Sequence, residues 1–184
     1  MKELEYKFLL SKEDFQKHLQ KANDLNLKTN STLQINYYYD NENLDLLKEN
    51  ITVRIRQKED KLKLEIKEHK ITNSEFSESA EKETEIQKLT QTLSILQYEN
   101  LKLKGNLVTN RQTLFVNDGI HLDFDTNYYL GTCDYEIELE FEEKHSEKVK
   151  EIISLFNFNF QNKPKNKAER FFEALERLNT NGKV

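Results

Sequence analysis

Cysteine, proline and glycine are scarce in this chain: one, one and four of 184 residues. A single cysteine, Cys133, excludes an internal disulfide framework and a cysteine-rich zinc site. The glycines are too sparse for a phosphate-cradling loop, and no long linker or low-complexity tract divides the sequence. No apolar run approaches the roughly 20 residues of a membrane helix, and the first residues lack the apolar core of a signal peptide. A cytoplasmic protein with no membrane partner is expected. The four histidines, His18, His69, His121 and His145, show no metal-ligand spacing, which reads them as ordinary surface or strand residues. A formal net charge of −5 argues against a general nucleic-acid surface. No stable nucleic-acid partner is therefore expected, although a locally basic pocket is still allowed.

What the chain has instead is charge repeating with a period of two. Charged residues make up 33% and the hydrophobic set 36%, proportions that would suit disorder if the apolar residues were scattered. They are periodic, and 11 Phe and 8 Tyr can furnish a core. At this length one domain spanning 1–184 is expected. In Glu3-Leu4-Glu5-Tyr6-Lys7-Phe8 the charged residues share one strand face and the apolar ones the other. The alternation returns with Arg54 and Arg56 against Ile51, Val53 and Ile55, and with Lys63, Glu65 and Lys67 against Leu62, Leu64 and Ile66. It returns again with Glu136, Glu138 and Glu140 against Tyr135, Ile137, Leu139 and Phe141. Further strands are expected over 32–40, 75–85 (with Glu81, Glu83 and Glu85 in register), 101–116 (bent or bulged at Gly105) and 120–126, the last after an Asn117-Asp118-Gly119 turn. Ser11 caps an expected helix to residue 25, a helical turn covers 44–48, and helices follow over 86–97 (Leu89, Leu93, Leu96), 146–156 and 167–178. Pro164 breaks the chain between the last two. The sum is about eight strands and about four helices in a mixed antiparallel α+β domain.

Each strand has an apolar face and each amphipathic helix an apolar stripe, so the helices should lie outside the sheet and the charged faces should point away from them. About eight strands can close into a barrel that encloses those faces. A lumen holding so many charges must contain water and ions. Crowded carboxylates repel one another unless a divalent cation joins them, and hard oxygen ligands favour magnesium or manganese. The arginines and lysines facing them suit phosphate oxygens. Cations on one side and metal-binding acids on the other fit a polyphosphate bridged to protein by metal.

Glu3-x-Glu5-x-Lys7 resembles the ExExK signature of the CYTH domain, the triphosphate tunnel metalloenzymes. The similarity spans nearly the whole chain. Arg54-Ile55-Arg56 resembles the family's paired strand arginines, Lys67 its strand lysine and Arg111 its later arginine. Asp123-Phe124-Asp125 followed by Glu136-Ile137-Glu138 resembles its metal-binding aspartate and terminal ExE strand, and Lys167-Ala168-Glu169-Arg170 its basic KxxR stretch. Length and wording look most like the compact bacillus-type branch.

The resemblance implies an α+β fold: an eight-stranded antiparallel β-barrel tunnel with a charged lumen, open at both ends, with helices packed outside. It implies triphosphate binding with Mg2+ or Mn2+. Glu3, Glu5 and Glu138 would hold the metal that bridges to substrate, with Asp123 and Glu136 helping a second metal that could activate water. Lys7, Arg54, Arg56, Lys67, Arg111, Lys167 and Arg170 would grip phosphates and offset transition-state charge. Lys7, Arg54, Arg56 and Glu136 would be the catalytic group. Asp125 shares a face with Asp123, and Glu140 extends the ExE pattern by one step, so either could substitute as a ligand. The implied activity is metal-dependent hydrolysis of inorganic tripolyphosphate or a nucleoside triphosphate. The same tunnel would serve a class IV adenylate cyclase, a thiamine-triphosphatase, an RNA 5′-triphosphatase or a non-catalytic polyphosphate binder. No dedicated base pocket stands out, which leans toward the inorganic substrate. The expected partner is a small-molecule triphosphate, and the chain is expected to be a monomer or homodimer.

Overall fold

The computed structural model describes residues 2–70, 76–95, 97–117, 119–158 and 164–181; Glu75, Leu96 and Asp118, singled out above, lie outside them. Strands form where branched and aromatic residues alternate with charge: β1 (Lys2–Leu10), β2 (Lys28–Asp40), β3 (Ile51–Lys58), β4 (Lys61–Lys70), β5 (Ser77–Ile86), β6 (Thr92–Ile95), β7 (Tyr98–Asn117), β8 (Ile120–Tyr129) and β9 (Thr132–Phe141). The helices are α1 (Lys12–Asp24), α2 (Asp45–Lys48), α3 (Ser146–Phe156) and α4 (Lys167–Asn181). The strand order is β2-β3-β4-β5-β1-β9-β8-β7-β6, and a long antiparallel pairing of β2 with β7 closes the first eight into a barrel. β6 stands outside the ring, paired with the start of β7.

Register decides what enters the bore. Lys7 pairs with Glu138, Asp123 with Glu138 and Asp125 with Glu136, Arg111 with Asp125 and Arg54 with Glu65. A slip of one residue would turn these charges out of the bore and bring in neighbours that are mostly apolar, Arg111 between Asn110 and Gln112 being the exception. The outward faces carry the cores. Leu4, Phe8, Leu114, Leu122, Phe124, Ile137 and Leu139 pack on Phe15 and Ala22 of α1 and on Val149, Ile152 and Phe156 of α3. Elsewhere on the outside, Tyr39, Val53, Ile55 and Leu101 pack with Leu46 of α2 and with Leu93 and Ile95 of β6. α1 begins where Ser11 accepts a hydrogen bond from the Asp14 amide at 3.1 Å, with Glu13 and Asp14 in its first turn favouring the helix dipole.

Two expectations are corrected. The expected helix over 86–97 is the end of β5 followed by β6. Leu89 and Leu93 have helical spacing, but Leu93 and Ile95, two apart, both bury against the outside of the barrel once Thr92–Ile95 pairs with β7. Among the described residues the bore is also filled at one end. There the inward positions turn apolar, with Tyr38, Leu107 and Tyr129, and Ala168, Phe171, Phe172 and Ala174 of α4 pack on them. Gly105 makes this possible: its φ is +147°, and an added Cβ would lie 2.8 Å from Phe171 Cζ. The bend expected at Gly105 appears as a register shift opposite Tyr38 and Tyr39.

Candidate active site

The charged bore is a cavity of about 800 Å³, reaching solvent at the rim marked by Lys2, Lys58, Phe115 and Glu142. Glu3, Glu5, Lys7, Arg54, Arg56, Lys67, Arg111, Asp123, Glu138 and Lys167 all line it. They come from β1, β3, β4, β7, β8, β9 and α4, so only closure of the barrel brings them together. Glu136 and Arg170 do not reach the lining. They lie buried beneath Lys167, where Arg170 Nη2 donates to Glu136 Oε2 at 3.0 Å and Arg170 Nε to Asp134 Oδ2 at 2.9 Å.

Acids and bases interleave. Lys7 Nζ lies 2.7 Å from both Glu5 Oε2 and Glu138 Oε1. Lys67 Nζ lies 2.5 Å from Glu3 Oε2. The Arg111 guanidinium forks to both oxygens of Asp125 at 2.7 and 2.6 Å, and also reaches Glu138 at 2.6 Å and Asp123. Arg54 Nε donates to Glu65 Oε2 at 2.7 Å, and Arg56 Nε to Asn36 Oδ1 at 3.1 Å. Lys167 Nζ touches Asp125, Glu136 and Glu138 at 2.9, 2.6 and 2.8 Å. Its direction is fixed by a reciprocal cap at the start of α4: the Glu169 amide donates to Asn166 Oδ1 at 3.0 Å, and the Asn166 amide to Glu169 Oε2 at 2.7 Å.

Burial and these pairs set the protonation states. Burial would raise Glu136, but Lys167 holds it down to about 2. Glu138 is held well below the usual carboxylate range against burial, chiefly by Lys167 and Lys7. Glu3 is brought to about 2 by Lys67, which outweighs its burial. Two acids go the other way: burial pushes Glu5 up despite Lys67 and Lys7, and pushes Asp123 up to about 6 despite Arg111. In both, the hydration lost on burial outweighs what the neighbouring cations restore.

Ligand atoms from three residues fall within 4.8 Å of one another in three sets among the described residues: Glu3, Glu5 and Glu140; His121, Asp123 and Glu140; and Asp125, Glu136 and Glu138. The last set already encloses the Lys167 ammonium. The first holds the Lys67 ammonium at its edge, 3.5 Å from Glu5 Oε1, and fits a hard divalent cation because that buried oxygen makes no hydrogen bond among the described residues and the set is all oxygen. His121, whose Nε2 lies 3.1 Å from Glu140 Oε2, does not follow from metal-ligand spacing. The signal for it is parity, since it stands two residues before Asp123 on the same face. Parity likewise puts Glu81 in the wall beside Arg54, where burial pushes its carboxyl up to about 7.

The family model for the CYTH domain matches residues 1–172. The chain belongs to the CYTH domain family. Among CYTH relatives, YjbK of Bacillus subtilis (strain 168), a candidate triphosphatase, is 29% identical over 93% of this chain and 94% of its own length. The crystal structure of a candidate adenylate cyclase from Bacillus halodurans superposes with a TM-score of 0.68 at 26% identity, covering 93% of this chain and 98% of that one. HpAC1 of Hippeastrum, described as a candidate adenylyl cyclase with a dominant triphosphatase activity, shares the fold at TM-score 0.71 and 21% identity, over 93% of this chain and 95% of its own. These neighbours share the closed eight-stranded CYTH barrel with helices outside.

Proposed function

We propose that this CYTH protein is a metal-dependent hydrolase of small-molecule triphosphates, either inorganic tripolyphosphate or a nucleoside triphosphate, working with Mg2+ or Mn2+. One observation carries the reading: six cations, Lys7, Arg54, Arg56, Lys67, Arg111 and Lys167, converge on one enclosed cavity. Each is ion-paired with carboxylates in or just behind the wall. A guest that takes over those pairings must itself be a compact polyanion.

Glu3, Glu5 and Glu140 would hold a divalent cation. Glu138, which shares Lys7 with Glu5, would be a further oxygen ligand. Asp123, with His121 and Glu140, is the candidate for a second ion. When bound, the cation supplies Lewis-acid neutralisation of phosphoryl oxygens. The chain's own contribution is position and charge. Arg54, Arg56 and Arg111 offer forked donors, Lys7, Lys67 and Lys167 offer point charges, and none needs to reorganise as charge spreads over the transferring group. Glu136 and Arg170 hold Lys167 from below and are positioning residues.

The test is phosphate and pyrophosphate release from tripolyphosphate, ATP and thiamine triphosphate with Mg2+ or Mn2+, repeated after chelation by EDTA. Metal-dependent phosphate release is expected. Cyclic AMP from ATP would overturn the hydrolase in favour of a cyclase, and tight binding without turnover would make the protein a triphosphate sensor.

A further inference from the structure

Lys7, Lys67, Arg111 and Lys167 are paired in the bore with acids that belong to the three clustered sets. A polyphosphate arriving with metal competes for both members of each pair. Arg54 and Arg56 are held differently. The carboxylate they share is Glu65, which stands in none of those sets among the described residues and does not line the cavity, whereas both arginines do. A guest in the bore meets the arginines and leaves Glu65 behind them.

Glu65 alternates on β4 with Leu64 and Ile66, which pack on the outside of the barrel. Its own side chain turns inward and is 2% exposed. Arg54 is its register partner on β3, and Arg56 follows two residues along the same face. Glu65 Oε2 accepts from Arg54 Nε at 2.7 Å and lies 3.4 Å from Arg56 Nη2, while Asn36 Oδ1 takes Arg56 Nε at 3.1 Å. One oxygen thus ties both guanidiniums and leaves the Nη groups of Arg54 and Nη1 of Arg56 as donors for a guest. Guanidiniums rooted roughly 6–7 Å apart on one strand face repel each other, and Glu65 offsets that repulsion from behind. In its absence Glu81, whose Oε1 lies 3.9 Å from Arg54 Nη2, remains to draw Arg54 aside.

We propose that Glu65 is a positioning residue of the bore, fixing the Arg54 and Arg56 guanidiniums in the attitude from which they meet the phosphoryl group being transferred. The proposal rests on the triphosphatase reading and deepens it. Its effect has a distinctive sign. Removing a buried negative charge makes the bore more attractive to a polyanion at rest. Arginines that are no longer held lose the alignment that serves charge developing in the transition state. Turnover should fall with no loss of affinity.

The experiment measures kcat and KM for tripolyphosphate and ATP with Mn2+ in wild type, Glu65→Met and Glu65→Gln, alongside calorimetric binding of tripolyphosphate in EDTA and thermal melting of each protein. Glu65→Met fills much of the same space without an acceptor. Its kcat should drop roughly 10- to 100-fold, while KM and the dissociation constant stay level or fall. Glu65→Gln keeps an oxygen for Arg54 Nε and should lie between, with kcat down about two- to fivefold and no loss of affinity; it decides the matter if Glu65→Met does not fold. Added to Arg54→Ala, which removes the main partner, either variant should cost less than about threefold more. A kcat equal to wild type in the folded variants whatever their melting temperatures, a loss that falls on affinity, or an undiminished loss in the Arg54→Ala background would overturn the proposal and leave the triphosphatase reading standing. A wild type that releases phosphate from neither substrate would overturn both.

Discussion

Lys167→Met tests whether the bore's charges hold one another up. The ammonium touches three carboxylates of which Asp125 and Glu136 are fully buried, and methionine keeps much of the stem while removing the charge. Breaking a buried ion pair from one side costs about 3–5 kcal/mol. At this chain length about 2–4 °C of melting temperature goes with each kcal/mol. A metal-free sample in EDTA should therefore melt roughly 6–20 °C lower at pH 7. The pH dependence gives a sharper test. Glu136 is held at about 2 and Glu138 well below its ordinary 4.5, with Lys167 the main charge opposing burial in both. Depressed carboxylates contribute stability that is fully present above 4.5 and is lost as pH falls toward 2. Without Lys167 that contribution shrinks, so the gap between variant and wild type should be widest near neutrality and narrow below pH 4.5. Differential scanning calorimetry from pH 7 to pH 3 in EDTA reads both effects. A gap under about 2 °C at pH 7, or one that stays constant with pH, refutes the reasoning.

Two further outcomes follow from the geometry. Gly105→Ala forces a Cβ to within 2.8 Å of the buried Phe171 ring at a φ of +147°. Backbone strain and overpacking should together cost about 2–5 kcal/mol in urea unfolding, and a loss below 1 kcal/mol would mean that α4 yields easily. Arg56→Ala removes a mostly buried guanidinium that the proposed function assigns to phosphate, and its neighbour Glu65 still has Arg54 at 2.7 Å. It should leave the melting temperature nearly unchanged while lowering kcat on tripolyphosphate roughly 10²- to 10³-fold, as followed by phosphate release.

Most of the bore was legible because a period of two is unambiguous when one face is charged. Glu3-x-Glu5-x-Lys7, Arg54-x-Arg56 and Glu136-x-Glu138 each named a face, and the closed barrel turns all three inward. Two things resisted. Thr92–Ile95 is four residues long, and Leu93 stands at helical spacing from Leu89 as well as at strand spacing from Ile95, so its pairing with β7 settles the matter. The closed end depends on Tyr38, Leu107 and Tyr129 meeting Phe171, residues far apart in sequence whose inward turn looks like ordinary core until the neighbouring strands are in place. His121 and Glu81 were hidden for a different reason. Each shares a face with charged residues two positions along its strand, but the partners that give it a place in the bore, Glu140 for His121 and Arg54 for Glu81, come from other strands.

The seam between β2 and β7 carries a consequence for how this protein comes into being. It zips residues 28–40 against 102–115, while β1, from one extreme of the described chain, must slot between β5 and β9, and α4, from the other extreme, supplies the stopper. Contacts so distant in sequence form late. No contiguous half of the described chain owns a finished pore, so a half-synthesised chain would lack the enclosed charge that defines the bore.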